Sequence, residues 1–483
     1  MQFLVIQRVL GLLLIIFSIS FLPPYFIGLH YQDGATEPFI QAFFITQLCG
    51  FLLFLPVRNH KKELRLRDGF MVVVLVWAVL GIVGGLPIYL SGIYDISITD
   101  AIFESMSGLT TTGATVIAGI DSLPHSILFY RQELQWLGGM GIIVLAVAVL
   151  PMLGIGGMQL FRAETPGPVK DNKLTPRITE TAKSLWYIYM GLTVSCGLAY
   201  WVAGMSIFDA VSHAFSTIAI GGFSTHDASI GYFDSTAIEL VAVVFMLLSG
   251  ANFAIHFVAL RNKSLKPYLR DAEFRAYIWV LLVVSIVTIG YLQLTKTFES
   301  TTESIIEGLF QVVSIGTTTG FTTVEYYTWP GFLPVLLLYV SFIGGCSGST
   351  GGGIKVIRIL LLVKQGAREL KKLIHPNAQF AVKIGRKPLP EKVLEAVWGF
   401  FAAYLAISAL MILLLMASGL DQETAFSAVA ACFNNLGPGL GDVGQNYASI
   451  NDFAKWVLIF AMLLGRLEIF TLLVLFTPGF WRK

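Results

Sequence analysis

The chain has 483 residues, of which 55% are hydrophobic and only 13% charged, and its formal net charge is +2. Its mean hydropathy is +0.74. A soluble protein of this length needs far more polar surface, so the composition excludes a soluble globular protein and indicates an integral membrane protein.

The N-terminal stretch Met1–Leu22 is apolar and contains a single basic residue, Arg8. A cleaved signal peptide is therefore one interpretation, but no cleavage site of small residues follows, and Pro23-Pro24 predicts a helix stop. We expect a retained first membrane helix.

Several apolar windows are long enough to cross a hydrocarbon core of about 30 Å. In chain order they are Val9–Leu22, Phe39–Leu55, Gly69–Leu90, Leu134–Leu153, Leu185–Val202, Ile238–Leu260, Tyr277–Leu294, Leu333–Val363, Val397–Met416 and Trp456–Phe476. A short apolar segment that ends in a glycine turn lies between the third and fourth windows, and likewise between the fifth and sixth, the seventh and eighth, and the ninth and tenth. These segments are too short to span, so we expect them to be re-entrant, entering and leaving the membrane on one side.

The four short segments share one pattern. Their turns are Thr110-Thr-Thr-Gly113, Ile220-Gly-Gly222, Thr317-Thr-Thr-Gly320 and Asn435-Leu-Gly437. At the same distance before each glycine stands a polar residue that we predict to start a short helix: Asp100, Asp209, Glu307 or Thr424. Repetition at this interval indicates duplicated units that surround one axis.

The predicted fold is an all-α integral membrane protein with two leading transmembrane helices and four repeats of helix, re-entrant pore loop and helix around one central pore. The predicted limits are residues 1–68 for the leading helices and residues 69–183, 184–275, 276–392 and 393–483 for the four pore repeats.

Backbone carbonyls before each glycine would replace the hydration shell of a cation, and glycine permits the positive φ that such a turn needs. The predicted filter residues are Thr111, Thr112, Gly113, Ile220, Gly221, Gly222, Thr318, Thr319, Gly320, Asn435, Leu436 and Gly437. For one copy alone, close helix packing is the better explanation of glycine and threonine. Four copies in register favour an ion site.

One span of the third repeat is interrupted by a glycine-rich run, and irregular backbone at membrane depth must line a cavity or be buried in protein. The run comprises Gly344, Gly345, Cys346, Ser347, Gly348, Ser349, Thr350, Gly351, Gly352 and Gly353. The corresponding positions of the other repeats are Gly138–Gly141, Ser249–Asn252 and Gly465-Arg466. Together with the run they form one layer below the glycine turns, and we expect Arg466 to be the only basic residue of this layer. Its alternative role is a structural pairing with Glu468 or a loop carbonyl.

Basic residues concentrate on one side of the predicted spans, which the positive-inside rule assigns to the cytoplasm. They are Arg58, Lys61, Lys62, Arg65, Arg67, Arg162, Lys170, Lys173, Arg177, Lys183, Arg261, Lys263, Lys266, Arg270, Arg275, Arg368, Lys371, Lys372, Lys383, Arg386, Lys387 and Lys392. The opposite loops offer only Arg131, Lys296 and Lys455, beside Asp33, Glu37, Asp95, Asp121, Asp227, Asp234, Asp421 and Asp442. The glycine turns therefore face outward, under either an acidic mouth that concentrates cations or ordinary solvated loops.

The four turns, the run Phe342–Gly353, Gln135–Gly141 and Gly465-Arg-Leu-Glu468 resemble the Trk/Ktr/HKT superfamily of potassium transporters, most closely its bacterial TrkH/TrkG branch. The resemblance covers essentially the whole chain. It implies a potassium filter at the four glycines and an intramembrane gating loop at Gly344–Gly353, with Arg466 beside the gate. Relatives that favour sodium often carry serine at the first glycine, so Gly113 matches the potassium-preferring pattern. Pro438 and the preceding asparagines depart from the pattern and leave open which carbonyls of the fourth turn face the ion.

The same resemblance implies potassium as the transported ion, with no organic cofactor in this chain. It implies a bacterial inner membrane location, with the filter facing the periplasm. The implied partners are a second copy in a homodimer, membrane lipid, and a cytosolic TrkA-type regulatory subunit that binds NAD or ATP, but no nucleic acid.

Two other classes of function are alternatives to a channel-like pore. A proton- or sodium-coupled potassium symporter is the main one, although carriers with broken helices usually have inverted repeats, whereas loop charge gives these four units one orientation. An enzyme is the weaker alternative. The run before Lys355 lacks the Gly-Lys-Ser/Thr ending of a phosphate-binding loop, the scattered histidines form no catalytic group, and the cysteines Cys49, Cys196, Cys346 and Cys432 stand singly.

Overall fold

The computed structural model describes residues 1–60, 64–141, 178–385 and 387–482. Within these ranges the only strands are Lys383–Ile384 and Lys387–Pro388, which pair as a small antiparallel hairpin. All other regular structure in the described part is helical, and the predicted all-α class is confirmed.

The α-helices of the described residues are α1 (Phe3–Ser18), α2 (Leu22–Tyr31), α3 (Thr36–Phe54), α4 (Leu66–Gly84), α5 (Leu86–Leu90), α6 (Ile98–Leu109), α7 (His125–Trp136), α8 (Ile178–Val202), α9 (Ile207–Ala219), α10 (Thr236–Ser249), α11 (Phe253–Asn262), α12 (Lys266–Arg270), α13 (Ala272–Leu294), α14 (Thr301–Gly316), α15 (Leu333–Ile343), α16 (Val356–Ile374), α17 (Glu391–Ala417), α18 (Gln422–Phe433), α19 (Asp452–Arg466), α20 (Ile469–Leu473) and α21 (Pro478–Trp481). A π-helical turn, Leu137–Gly141, extends α7.

Six stretches of the described part are long and apolar enough to cross a membrane. They are Phe3–Tyr31, Thr36–Val57, Arg67–Leu90, Lys183–Val202, Ala272–Leu294 and Glu391–Ala417. Two helix pairs meet the same criteria only as bent spans: α10 with α11, bent by 95°, and α19 with Ile469–Phe476, bent by 112°. The chain is therefore a multi-pass membrane protein.

The predicted windows Ile238–Leu260 and Trp456–Phe476 are therefore bent within their length. At the first break, Asn252 accepts a hydrogen bond from the Ala254 N–H at 2.8 Å and so starts a new helix. At the second break, Glu468 has a φ of +53°. The window Leu333–Val363 is interrupted as predicted, because α15 ends at Ile343 and α16 begins at Val356. The end of Leu134–Leu153, and the basic residues Lys61, Lys62, Arg162, Lys170, Lys173, Arg177 and Arg386, lie outside the described residues.

The predicted helix stop at Pro23-Pro24 is wrong. A 3-10 turn, Ile19–Phe21, connects α1 to α2, and the prolines occupy the beginning of α2. Proline is tolerated there because the first amide groups of a helix have no intrahelical acceptor in any case.

The predicted short helices are α6, α9, α14 and α18, and each follows a side chain that accepts a backbone N–H. The capping residues are Ser97, Ser206, Ser300 and Asp421. Asp100, Asp209 and Thr424 lie in the first turns, as predicted. Glu307 does not start a helix, because α14 begins earlier, at Thr301, and Glu307 lies in its middle and accepts a hydrogen bond from Thr323.

The three largest clusters of buried apolar side chains each join neighbouring parts of the chain. The first connects the leading helices with the first and fourth predicted repeats. The second contains residues of the second and third repeats, including Ile218 and Phe310. The third joins the third repeat to the fourth through residues such as Leu337 and Leu436. This packing brings the ends of the short helices together. The exact five-part division of the chain remains a prediction.

Candidate functional site

The four glycine turns have the same backbone conformation. Their glycines have φ values of +81° at Gly113, +80° at Gly222, +82° at Gly320 and +97° at Gly437. Two residues earlier, Thr111, Ile220, Thr318 and Asn435 have φ values of +56°, +54°, +69° and +52°. A left-handed conformation is unfavourable for a residue with a Cβ atom and persists only where the surroundings enforce it.

One backbone hydrogen bond closes each turn. The N–H of the residue before the glycine donates to a carbonyl in the preceding short helix, and all four bonds measure 2.8 Å: Thr112 to Ser107, Gly221 to Ser216, Thr319 to Ser314, and Leu436 to Ala431. The turn is thus a continuation of each short helix rather than a separate loop.

The turns form a closed ring in which each glycine faces a carbonyl of the next turn. A side chain at Gly113 would overlap the carbonyl oxygen of Gly221. In the same way, side chains at Gly222 and Gly320 would overlap the carbonyls of Thr319 and Leu436. A Cβ atom at Gly437 would lie 2.7 Å from the carbonyl oxygen of Thr112, which completes the ring.

A cavity of about 390 Å³ opens on one side of the ring and is lined by all four glycines. Its wall also includes Arg131, His226 and Glu325. The structure therefore brings the four predicted turns together at the end of one cavity. In the fourth turn it is the Leu436 carbonyl that faces a neighbouring glycine, Gly320.

Different side chains support the same conformation in the four turns. In the first and third turns two hydroxyl groups pair, Thr110 with Thr112 at 2.8 Å and Thr317 with Thr319 at 2.7 Å. In the fourth, the Asn435 amide donates to the Thr112 hydroxyl at 3.0 Å and thereby ties the fourth turn to the first.

The second turn carries no threonine and is held by Gln135 of α7. The Gln135 amide donates to the Gly221 carbonyl at 2.6 Å and accepts from the Phe223 N–H at 3.1 Å. Gln135 thereby brackets Gly222 from both sides. The sequence indicated Gln135 only as part of a motif, because its contact lies in a different repeat.

The glycine-rich run Gly344–Gly353, hereafter the loop, lies against the short-helix ends on the side of the ring away from the cavity. Thr350 donates its hydroxyl to the Ile218 carbonyl at 2.9 Å, at the end of α9. The Gly352 N–H donates to the Thr318 hydroxyl at 2.7 Å, and the Gly353 N–H donates to the Asn434 carbonyl at 3.0 Å. The loop thus contacts three of the four turns or their helices.

Arg466 connects the remaining turn to the loop. Its guanidinium donates to the Thr111 hydroxyl at 3.2 Å and to the Thr350 carbonyl at 3.1 Å. It also donates to the carbonyls of Gly138 and Gly139. Of its predicted structural partners, the loop carbonyl is therefore observed, while Glu468 forms an ion pair with Arg358.

Comparison with known proteins identifies the family. The family model named TrkH, described as a cation transport protein, matches residues 35–483. The chain belongs to the TrkH family. It is 59% identical to the Trk system potassium uptake protein TrkH of Vibrio parahaemolyticus and 42% identical to TrkG of Escherichia coli, with 100% and 99% of each chain covered, respectively. The crystal structure of the potassium transporter TrkH from Vibrio parahaemolyticus matches with a TM-score of 0.91, at 57% identity and over 100% of both chains.

The layer around Arg466 in this TrkH family member contains more charge than predicted. Lys355 donates from its ammonium group to the Gly351 carbonyl inside the loop. Arg358, three residues later in the first turn of α16, pairs with Glu468. The prediction that Arg466 is the only basic residue of the layer is therefore wrong. The sequence placed Lys355 after the loop, but the chain reverses there and returns its side chain to the loop.

Two residues predicted to lie in outward loops are instead buried in helices. Arg131 belongs to α7, is 1% exposed and pairs with Glu104 of α6 at 2.8 Å. Lys455 belongs to α19 and pairs with Asp100 at 2.7 Å. A single charge just before an apolar window predicts a loop position, whereas here a carboxylate of the first short helix compensates each charge.

Arg131 joins the first turn to the second. It donates to the Ser224 carbonyl at 3.1 Å and lies over the Phe223 ring at 4.3 Å from its centroid. Its partner Glu104 accepts hydrogen bonds from the Thr115 hydroxyl and the Val116 N–H, each at 3.0 Å. The backbone that follows both turns is thus anchored to one buried ion pair.

A histidine at the rim of the cavity has two acidic partners. His226 Nδ1 lies 2.7 Å from Asp121 Oδ1, and His226 Nε2 lies 3.5 Å from Asp209 Oδ1. Burial opposes the charged imidazolium, but the attraction to the Asp209 and Asp121 carboxylates outweighs it and raises the pKa of His226 above its ordinary value.

Proposed function

We propose that this chain takes up potassium across the bacterial inner membrane through a channel-like pore, in which the four glycine turns are the selectivity filter. The relatives named as potassium uptake proteins align with it over their full length, which supports the substrate. The excess of basic residues on one side supports an orientation with the filter toward the periplasm.

The closed ring of carbonyls is the observation that carries this proposal. The carbonyls of Thr112, Gly221, Thr319 and Leu436 each face the glycine of an adjacent turn. Four oxygen dipoles around one axis suit a dehydrated monovalent cation, because they replace its water shell without introducing a fixed negative charge. The cavity of about 390 Å³ beside the ring can hold hydrated ions next to the filter.

The loop is proposed as the gate of the same pore. It lies against the filter helices on the side opposite the cavity, and its backbone and Arg466 occupy the layer that an ion must cross next. A positive charge at that point raises the electrostatic barrier for a cation.

The resemblance also suggests a homodimer and a cytosolic nucleotide-binding subunit that acts on the gate. The basic residues Lys371, which is exposed, and Lys372, which is half-buried, lie in α16 after the loop and support a docking surface for that subunit. Neutralising Arg368, Lys371 and Lys372 together is expected to weaken co-purification of the subunit. Unchanged co-purification would contradict this docking surface.

Substitution of Gly113 by serine tests the filter. Serine would have a strained backbone conformation at a φ near +81°, at a cost of about 1–3 kcal/mol. Its Cβ atom would also overlap the Gly221 carbonyl and displace it. We expect the preference for potassium and rubidium over sodium and lithium to fall about tenfold or more in proteoliposome flux assays.

Gly290→Ser is the matched control. Gly290 lies in α13, and outside its own helix backbone no atom lies within 4 Å of the position that a Cβ atom would take. This substitution should leave the ion preference unchanged. Equal transport of sodium and potassium by the unmodified protein would contradict the proposed filter.

A further inference from the structure

The loop is attached to the second repeat as well as to the filter. The Cys346 N–H donates to the Gly250 carbonyl at 2.8 Å, and the Phe253 N–H donates to the Gly348 carbonyl at 3.0 Å. These bonds fasten the first half of the loop to the bend between α10 and α11. Each is a neutral backbone bond, which typically contributes only about 0.5–1.5 kcal/mol net.

The two ends of the loop meet at a neck. The Ile354 N–H donates to the Phe342 carbonyl at 2.9 Å, and the Val356 N–H donates to the Gly345 carbonyl at 3.1 Å. Because these two bonds close the loop at its base, a contact at the neck restrains both of its ends.

A single carboxylate from a different helix holds both sides of this neck. Glu273 is the second residue of α13 and is 8% exposed. Its Oε1 atom accepts hydrogen bonds from the Ser347 N–H at 2.6 Å and the Ile357 N–H at 3.2 Å. Ser347 precedes the filter-facing part of the loop and Ile357 follows it.

Both bonds are strengthened when the Glu273 side chain is ionised. A carboxylate accepts an N–H more strongly than a neutral oxygen does, by roughly a factor of two. Ile357 also lies in the first turn of α16, where N–H groups have no intrahelical acceptor and negative charge is stabilised. Glu273 is thus the acceptor that restrains both sides of the neck of the loop.

We propose that Glu273 is the latch of the gating loop, a positioning residue that keeps the loop beneath the filter by bridging Ser347 and Ile357. This inference rests on the proposed function of the loop as a gate. Opening requires both N–H groups to leave the carboxylate, so weakening the acceptor should favour the open position without touching the filter.

Cys346 reports on the loop directly, because its side chain is 0% exposed and lies next to Ser347. In a Cys49→Ser background, which removes the exposed cysteine, the remaining thiols Cys196, Cys346 and Cys432 are all buried. The experiment measures the rate at which a membrane-permeant maleimide modifies each thiol in the full-length protein, by peptide mass spectrometry, together with rubidium flux in liposomes.

Glu273→Gln keeps the shape of the side chain and removes its charge. We expect it to raise the rate of Cys346 modification about tenfold, because both charge-assisted bonds become ordinary ones. Cys196 and Cys432 should remain protected, and rubidium flux without the regulatory subunit should rise. Glu395→Gln, which changes an exposed carboxylate near the start of α17, is the matched control and should alter neither quantity.

Unchanged modification of Cys346 would overturn the latch. Equal acceleration at all three buried thiols would also overturn it, since general loosening rather than release of the loop would be responsible. Selective exposure of Cys346 with no change in rubidium flux would support the latch but contradict the proposed gate, so the two proposals fail in distinguishable ways.

Discussion

Arg131 and Glu104 form an ion pair whose side chains are 1% and 0% exposed, at the wall of the cavity above the ring. Removing two charges from water costs several kcal/mol each, and only close pairing with further hydrogen bonds compensates this cost. Arg131 meets that condition because Glu104, Ser224 and Thr115 accept from different nitrogen atoms of its guanidinium. The pair therefore fixes the geometry of two turns rather than adding much net stability.

Loss of one partner should be far more damaging than loss of both. Arg131→Met leaves the Glu104 carboxylate buried without a counter-charge, which we expect to destabilise the protein by about 3–5 kcal/mol. The double variant Arg131→Met/Glu104→Gln should recover most of this loss. Thermal unfolding in detergent measures both, with Lys296→Met, at an exposed position, as the control. Equal destabilisation by the single and double variants would contradict the unpaired Glu104 carboxylate as the source of the loss.

His226 makes the rim of the cavity sensitive to pH. Its pKa is raised in the folded protein, so folding favours the protonated ring paired with Asp121 and Asp209. This contribution to stability is fully present below the ordinary value of 6.5 and is lost as the pH rises through the higher folded value. The thermal midpoint should therefore fall over that range, and His226→Gln should remove this part of the pH dependence. An identical pH profile in the variant would contradict the role of His226.

The ring and the loop are separate elements with separate supports. Hydroxyl pairs, Gln135 and Asn435 hold the turns from within the short-helix layer. Backbone bonds to the bend after α10, together with Glu273, hold the loop. Arg466 contacts both, through Thr111 and Thr350, and the Thr318 hydroxyl of the third turn also contacts the loop directly. Selectivity and gating should therefore respond to different substitutions.

Arg466→Ala should raise rubidium flux in the absence of the regulatory subunit. The change removes a positive charge from the proposed ion path and releases the Thr350 carbonyl, while the φ values and carbonyl contacts of the four glycines stay in place. The potassium preference should change little. Flux per correctly folded protein, with protein quantified by size-exclusion chromatography, makes the comparison. A fall in this normalised flux would indicate that Arg466 has a packing role only.

The whole molecule shows which features a sequence can reveal. The glycines Gly113, Gly222, Gly320 and Gly437 were predictable because a repeated unit places the same residue at the same position in each copy. The interruption at Gly344–Gly353 was predictable because so many glycines cannot continue a helix. Both signals consist of residues that belong to the turns or the loop themselves, and both coincide with the observed turns and loop.

The supports of these elements were not predictable in the same way. Gln135, Arg131 and Glu273 each contact a turn or loop that belongs to another repeat. Nothing in the residues around them indicates that contact, because the partners lie far away in the chain. Glu307 was placed wrongly for the opposite reason: a matching distance to Gly320 suggested a helix start, whereas the actual cap, Ser300, lies earlier.

Reversal potentials of the purified protein in planar bilayers test the channel-like pore most directly. Potassium, sodium and proton gradients are imposed in opposed directions, so that passive flow and coupled transport give different voltages. The ring of carbonyls predicts a potential that follows the potassium gradient and does not shift when the sodium or proton gradient is reversed. A potential that moves with the proton or sodium gradient would contradict this account and would instead fit a coupled symporter or a pore that does not discriminate between these ions.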